Sequence, residues 1–95
     1  MCFAVMANIF LLEDDKILSK GISIALEKDK HTVTVVYGYM EALQKYQSPK
    51  YDLFLLDINL PDGNGMELCK KIRETSEIPI LFLNANDTEQ DMLEG

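Results

Sequence analysis

The chain has 95 residues, enough for one domain and too few for two. Sixteen acidic against nine basic residues leave a formal charge of −7. That argues against direct nucleic-acid binding, which needs a basic footprint to displace counterions, and suits a cation or a basic partner surface better. A single histidine argues against a histidine-based zinc site, and Cys2 and Cys69 form neither a C-x-x-C pair nor a disulfide framework. A reducing cytoplasm fits them.

The start of the chain, Met1 to Leu12, is apolar but lacks a basic segment in front. No run approaches the roughly 20 apolar residues that span a membrane. Residues 1–7 are expected to be a leader and 8–95 the folded domain. Ile9-Phe10-Leu11-Leu12 is a short apolar run and predicts a first strand. Ile17, Leu18, Gly21, Ile22, Ala25 and Leu26 recur at helical spacing. Thr32 to Val36 alternates and is β-branched throughout, so it predicts a half-exposed second strand.

Tyr39, Ala42, Leu43 and Tyr46 predict a short helix ended by Ser48-Pro49. Leu53 to Leu56 is a second continuous apolar run. Pro61-Asp62-Gly63-Asn64-Gly65 signals a loop. Asn64 is expected to cap the next helix with Glu67 as its capping-box partner, and Leu68, Cys69 and Ile72 form that helix's buried stripe. Pro79 opens a fourth strand, Ile80 to Leu83. Asp87 and Gln90 then start a last helix through Met92 and Leu93.

Such β-α alternation implies a parallel sheet with right-handed crossovers and helices on both faces. Continuous apolar strands are buried on both faces, so the alternating one belongs at an edge. The fold class is therefore α/β, a flavodoxin-like doubly wound sheet of strand order 2-1-3-4.

In such sheets ligands bind beyond the carboxyl ends of the strands, where the strand order reverses. The first strand runs into Glu13 and Asp14, the third into Asp57 and the fourth into Asn84. Three carboxylates from adjacent strands should converge there. Crowded carboxylates raise one another's pKa and call for a counter-charge. Mg²⁺ suits them, because it binds through one or two carboxylates and keeps room for a phosphate oxygen. Plainer roles compete at each position: Asp14 or Asp15 as a helix cap, Asp57 as a turn opener.

The strings IFLLEDD at 9–15, DLFLLDINLPDGNG at 52–65 and PILFLNANDTEQDMLEG at 79–95 resemble the receiver domain of two-component response regulators. The resemblance runs from Asn8 to Gly95, and the last string is most similar to the OmpR-type subfamily. It implies that Asp57 is the phosphoacceptor, charged by a sensor histidine kinase or a small acyl phosphate. It implies that Mg²⁺ is held by Asp14 directly, Glu13 through water, Asp57 itself, and Asn59 through its backbone carbonyl. Pro61 and Gly65 correspond to the loop beside the site, and Ala85 to the small residue that keeps the phosphoryl pocket open.

Two departures from the family pattern stand out. Asn84 occupies the position of the switch Thr or Ser, where an amide can still donate a hydrogen bond; phosphorylation is expected to persist while the conformational response weakens. The chain is also expected to be truncated before a fifth strand, the lysine after it and a fifth helix, with Lys50, Lys70 and Lys71 unable to stand in. Self-association through the fourth strand and fourth helix is then expected. DNA would be contacted only through an output domain that this chain does not carry. The competing functions are a phosphorylation-independent interaction module and a haloacid-dehalogenase-type hydrolase. The hydrolase needs an aspartate two residues beyond the nucleophile, where this chain has Asn59.

Overall fold

A computed structural model describes residues 6–47 and 50–83. The elements, in chain order, are β1 (Asn8–Leu12), α1 (Lys16–Lys28), β2 (Thr32–Val36), α2 (Tyr39–Lys45), β3 (Leu53–Asp57), β4 (Asn59–Leu60), β5 (Gly63–Asn64), α3 (Gly65–Arg73) and β6 (Ile80–Leu83). The main sheet has the order β2-β1-β3-β6, and every pairing in it is parallel. The expected 2-1-3-4 arrangement is therefore present, with β6 as its fourth strand. No helix among the described residues is long and apolar enough to cross a membrane.

Side-chain alternation splits the core between the two faces of the sheet. Phe10 and Leu12 of β1 join Phe54 and Leu56 of β3 against Ala42 of α2 and Leu68 and Ile72 of α3. Ile9, Leu11 and Leu55 point the other way, onto Ile22 and Leu26 of α1. Central strands buried on both faces explain the continuous apolar runs, and β2 at the edge explains its alternation.

Two local expectations need correction. Ile17 is 87 % exposed and Leu18 is also exposed, while Ser19 is buried. A helix turns about 100° per residue, which puts Ile17 about 140° from Ile22. Ile17 and Ile22 cannot share a buried stripe, and the buried line is Ser19, Ile22 and Leu26. Ser19 satisfies its hydroxyl on the Lys16 carbonyl, 3.2 Å away.

The loop signalled at residues 61–65 takes the form of a tight hairpin, and the capping box expected after it does not close. Asn59 pairs with Asn64 and Leu60 with Gly63, leaving Pro61-Asp62 as the turn. Asn64 caps α3 by accepting from the Met66 amide at 2.7 Å. Glu67 pairs with Lys70 at 3.7 Å instead of closing the capping box. Ser48-Pro49 and the expected helix after residue 83 lie outside the described residues.

Candidate functional site

β1 delivers its acids to the carboxyl end of the sheet. The Glu13 amide continues the ladder onto the Val36 carbonyl at 3.1 Å, so the strand direction persists one residue past β1. Glu13 is 1 % exposed and Asp57 4 %, whereas Asp14 is exposed. Carboxylate oxygens of Glu13, Asp14 and Asp57 lie within 4.8 Å of one another. Parallel pairing places Leu12 beside Leu56, so the residues that follow each strand meet at the switch point.

The three consecutive acids divide their roles. Asp15 is the N-cap of α1: its Oδ1 accepts from the Ile17 and Leu18 amides, each at 3.0 Å. Its own amide donates to Glu13 Oε2 at 3.0 Å. The capping role weighed for Asp14 or Asp15 therefore falls to Asp15, and Asp14 is left at the cluster.

Asp57 is held from behind by its own loop. The Asn59 amide donates to its carboxylate. Gly65 packs on the Asp57 carbonyl so closely that a Cβ there would collide with the backbone. The Gly65 amide closes the loop onto the Ile58 carbonyl at 2.7 Å. Only glycine fits at such an approach of two backbones.

Burial dominates the electrostatics. Loss of water raises the Glu13 carboxyl from its usual 4.5 to about 7, helped by the neighbouring Asp57 charge and opposed by the Asp15 amide. Asp57 is also raised, again chiefly by burial, although a hydrogen bond from Glu13 works in the opposite direction. Without a cation, burial thus disfavours the charged form of both Glu13 and Asp57. A divalent cation would replace a proton there and relieve the crowding, and hard carboxylate oxygens on two adjacent strands suit Mg²⁺.

The nearest lysine in sequence is turned elsewhere. Lys16 Nζ sits over the Tyr37 ring, 5.1 Å from its centroid. The Tyr37 amide donates to Glu41, whose carboxylate is held below its usual range mainly by that bond. Lys70 is occupied with Glu67, and Lys50 lies at the opposite end of β3, where its carbonyl accepts from Asn8. Asn84 and Ala85 lie outside the described residues. Pro61 lies in the turn of the hairpin, and Gly65 at its base against the Asp57 carbonyl. Asp62 was legible only as part of a turn, yet it bonds to α2; an acid inside a loop carries no signal of a partner more than 20 residues away.

The comparisons with known proteins agree with this geometry. The family model "Response regulator receiver domain" matches residues 9–95. The response regulator ArlR of Staphylococcus saprophyticus is 36 % identical over 90 residues, covering 95 % of this chain and 41 % of that protein. ArlR of Staphylococcus haemolyticus is 33 % identical with the same coverage. The chain thus spans less than half the length of these relatives. Among solved structures, the non-phosphorylated HemR receiver domain from Leptospira biflexa superposes with a TM-score of 0.80 at 37 % identity, covering 93 % of this chain and 72 % of that one. A two-component response regulator from Clostridium difficile superposes at 0.79 with 33 % identity, covering 94 % and 76 %.

Proposed function

From the premise that this chain belongs to the response regulator receiver domain family, we propose that it is a Mg²⁺-dependent phosphoacceptor whose phosphorylated residue is Asp57. The observation that carries the reading is the buried Asp57 carboxylate within 4.8 Å of the Glu13 and Asp14 carboxylates. An Asp57 oxygen attacks phosphorus, an acyl phosphate forms on Asp57, and the bond to the donor's leaving group breaks. With acetyl phosphate that group leaves as acetate, and with a kinase phosphohistidine as imidazole.

Glu13, Asp14, Asp57 and the Asn59 backbone carbonyl would hold Mg²⁺, which when bound supplies the charge neutralisation that lets a phosphoryl group approach three acids. The Asn59 amide orients the Asp57 carboxylate. Gly65 keeps the loop close behind it. Receiver domains of response regulators are phosphorylated by sensor histidine kinases, and a kinase of that class is the partner proposed for this chain, which is placed in the cytoplasm. The similarity to ArlR supports an OmpR-type regulator of transcription, with DNA contacted by a separate output domain.

Intact mass after incubation with Mg²⁺ and acetyl phosphate tests the reading. One added phosphoryl group is expected, and none in Asp57→Asn; an unmodified wild type would sink it. The alternative of a phosphorylation-independent interaction module is favoured by Asn84 at the switch position, and it predicts that unmodified outcome. Leu81 is 56 % exposed on β6, which favours self-association through that strand. Static light scattering should then give a mass above the monomer that rises with concentration, and a constant monomer mass would refute it.

A further inference from the structure

The hairpin that carries Asn59 is tied down at both ends. Its base is fixed to β3 by the Gly65 amide on Ile58, the Asn59 amide on the Asp57 carboxylate and the packing of Gly65 on the Asp57 carbonyl. Its tip reaches across to α2. Asp62 Oδ1 accepts from the Tyr39 amide at 2.7 Å and Oδ2 from the Met40 amide at 3.1 Å. These are the first two residues of α2, and its own N-cap is Gly38, which has no side chain to offer. Beside them, Gly63 packs so closely on the Tyr39 ring that any Cβ would strike it.

The capping of α2 is therefore supplied from 22 to 23 residues away, by the turn of the loop behind the acceptor. A carboxylate there satisfies two orphan amides and meets the positive end of the helix. The same two bonds restrain the loop. Without them the base ties at Gly65 and Asn59 and the packing of Gly63 on Tyr39 remain, but no hydrogen bond joins the exposed Pro61-Asp62 turn to α2.

We propose that Asp62 is a positioning residue for the cation site: by gripping the α2 N-terminus it holds the hairpin, and with it the Asn59 carbonyl, in register with Asp14 and Asp57. This rests on the reading of Asn59 as a metal ligand. Outer groups that orient metal ligands typically govern affinity by 10–100-fold, and an ångström of slack at one ligand is costly.

Two roles for Asp62 need separating, a stabiliser of α2 and a positioner of the loop. Gly38 makes that possible. Its backbone is extended, as an N-cap requires, and a Cβ there would lie 3.3 Å from the Asp62 carboxylate. In an Asp62→Ala background that neighbour is gone, so Gly38→Ser can cap α2 locally without restoring the tether.

Mg²⁺ affinity by calorimetry and Tm in Mg²⁺-free buffer should be measured for wild type, Asp62→Ala and Asp62→Ala/Gly38→Ser. Asp62→Ala is expected to lower Tm and to weaken Mg²⁺ binding about tenfold. The double variant should regain Tm while the Mg²⁺ defect stays. Unchanged Mg²⁺ affinity in Asp62→Ala would overturn the proposal, as would recovery of both properties in the double variant, which would make Asp62 a helix cap alone. A wild type that binds no Mg²⁺ would instead remove the cation site, and the positioning role with it; the wild-type titration tells that failure from the others.

Discussion

The two ends of β3 solve opposite problems. At the amino end, Phe10, Tyr51 and Phe54 pack as an aromatic trio with ring centroids 5.1 to 5.6 Å apart. Beside them lies a cavity of about 350 Å³ lined by Tyr46, Phe54 and Ile72. At the carboxyl end, some four residues away, sit two buried carboxylates and a third that is exposed. The hollow and the chemistry are thus at opposite ends. A receiver site needs no enclosed pocket, because its substrate is a phosphoryl group presented on another molecule. Burial at one end contributes stability, and at the other it costs stability in exchange for perturbed acids.

Phe10→Ala should break the apolar end with the larger effect. Truncating a fully buried Phe is expected to destabilise the fold by about 3–5 kcal/mol in urea denaturation. The fraction that remains folded should keep its Mg²⁺ affinity. A comparable loss of affinity in that fraction would mean that the two ends are not separable.

The acidic end should answer to pH instead. Mg²⁺ must displace the Glu13 proton, held with a pKa of about 7, so affinity is expected to rise about tenfold between pH 6 and pH 8. Calorimetry at the two pH values checks this, and Glu13→Gln should remove most of the dependence. Stability runs the other way. Glu13 binds its proton more tightly in the folded state than in the unfolded chain. Its contribution is therefore fully present below about pH 4.5 and lost as pH rises through about 7. Tm without metal should fall across that upper range more in wild type than in Glu13→Gln, and Mg²⁺ should reverse the fall. A flat Mg²⁺ affinity from pH 6 to pH 8 would show that Glu13 carries no proton there.

What the sequence determined by itself was local or periodic. Continuous apolar runs marked the central strands, alternation marked β2 as an edge, and the acids directly after the runs marked the site. The spacing of Leu68 and Ile72 marked the buried side of α3. These survive folding because strand and helix periods act over a few residues, and because acids at the ends of neighbouring parallel strands have nowhere else to go.

Tertiary structure decided the rest. Two overlapping apolar spacings on α1 left the inward face ambiguous until the sheet claimed Ile22 and Leu26, not Ile17. Three consecutive acids at 13–15 could not be sorted until Asp15 turned to the α1 amides. The raised Glu13 and Asp57 carboxyls depend on how much water the packed strands exclude. The grip of Asp62 on α2 depends on a helix whose own N-cap is glycine. Each is a contact between groups far apart in the chain or a choice among near-equal local options, and a pattern of residue types records neither.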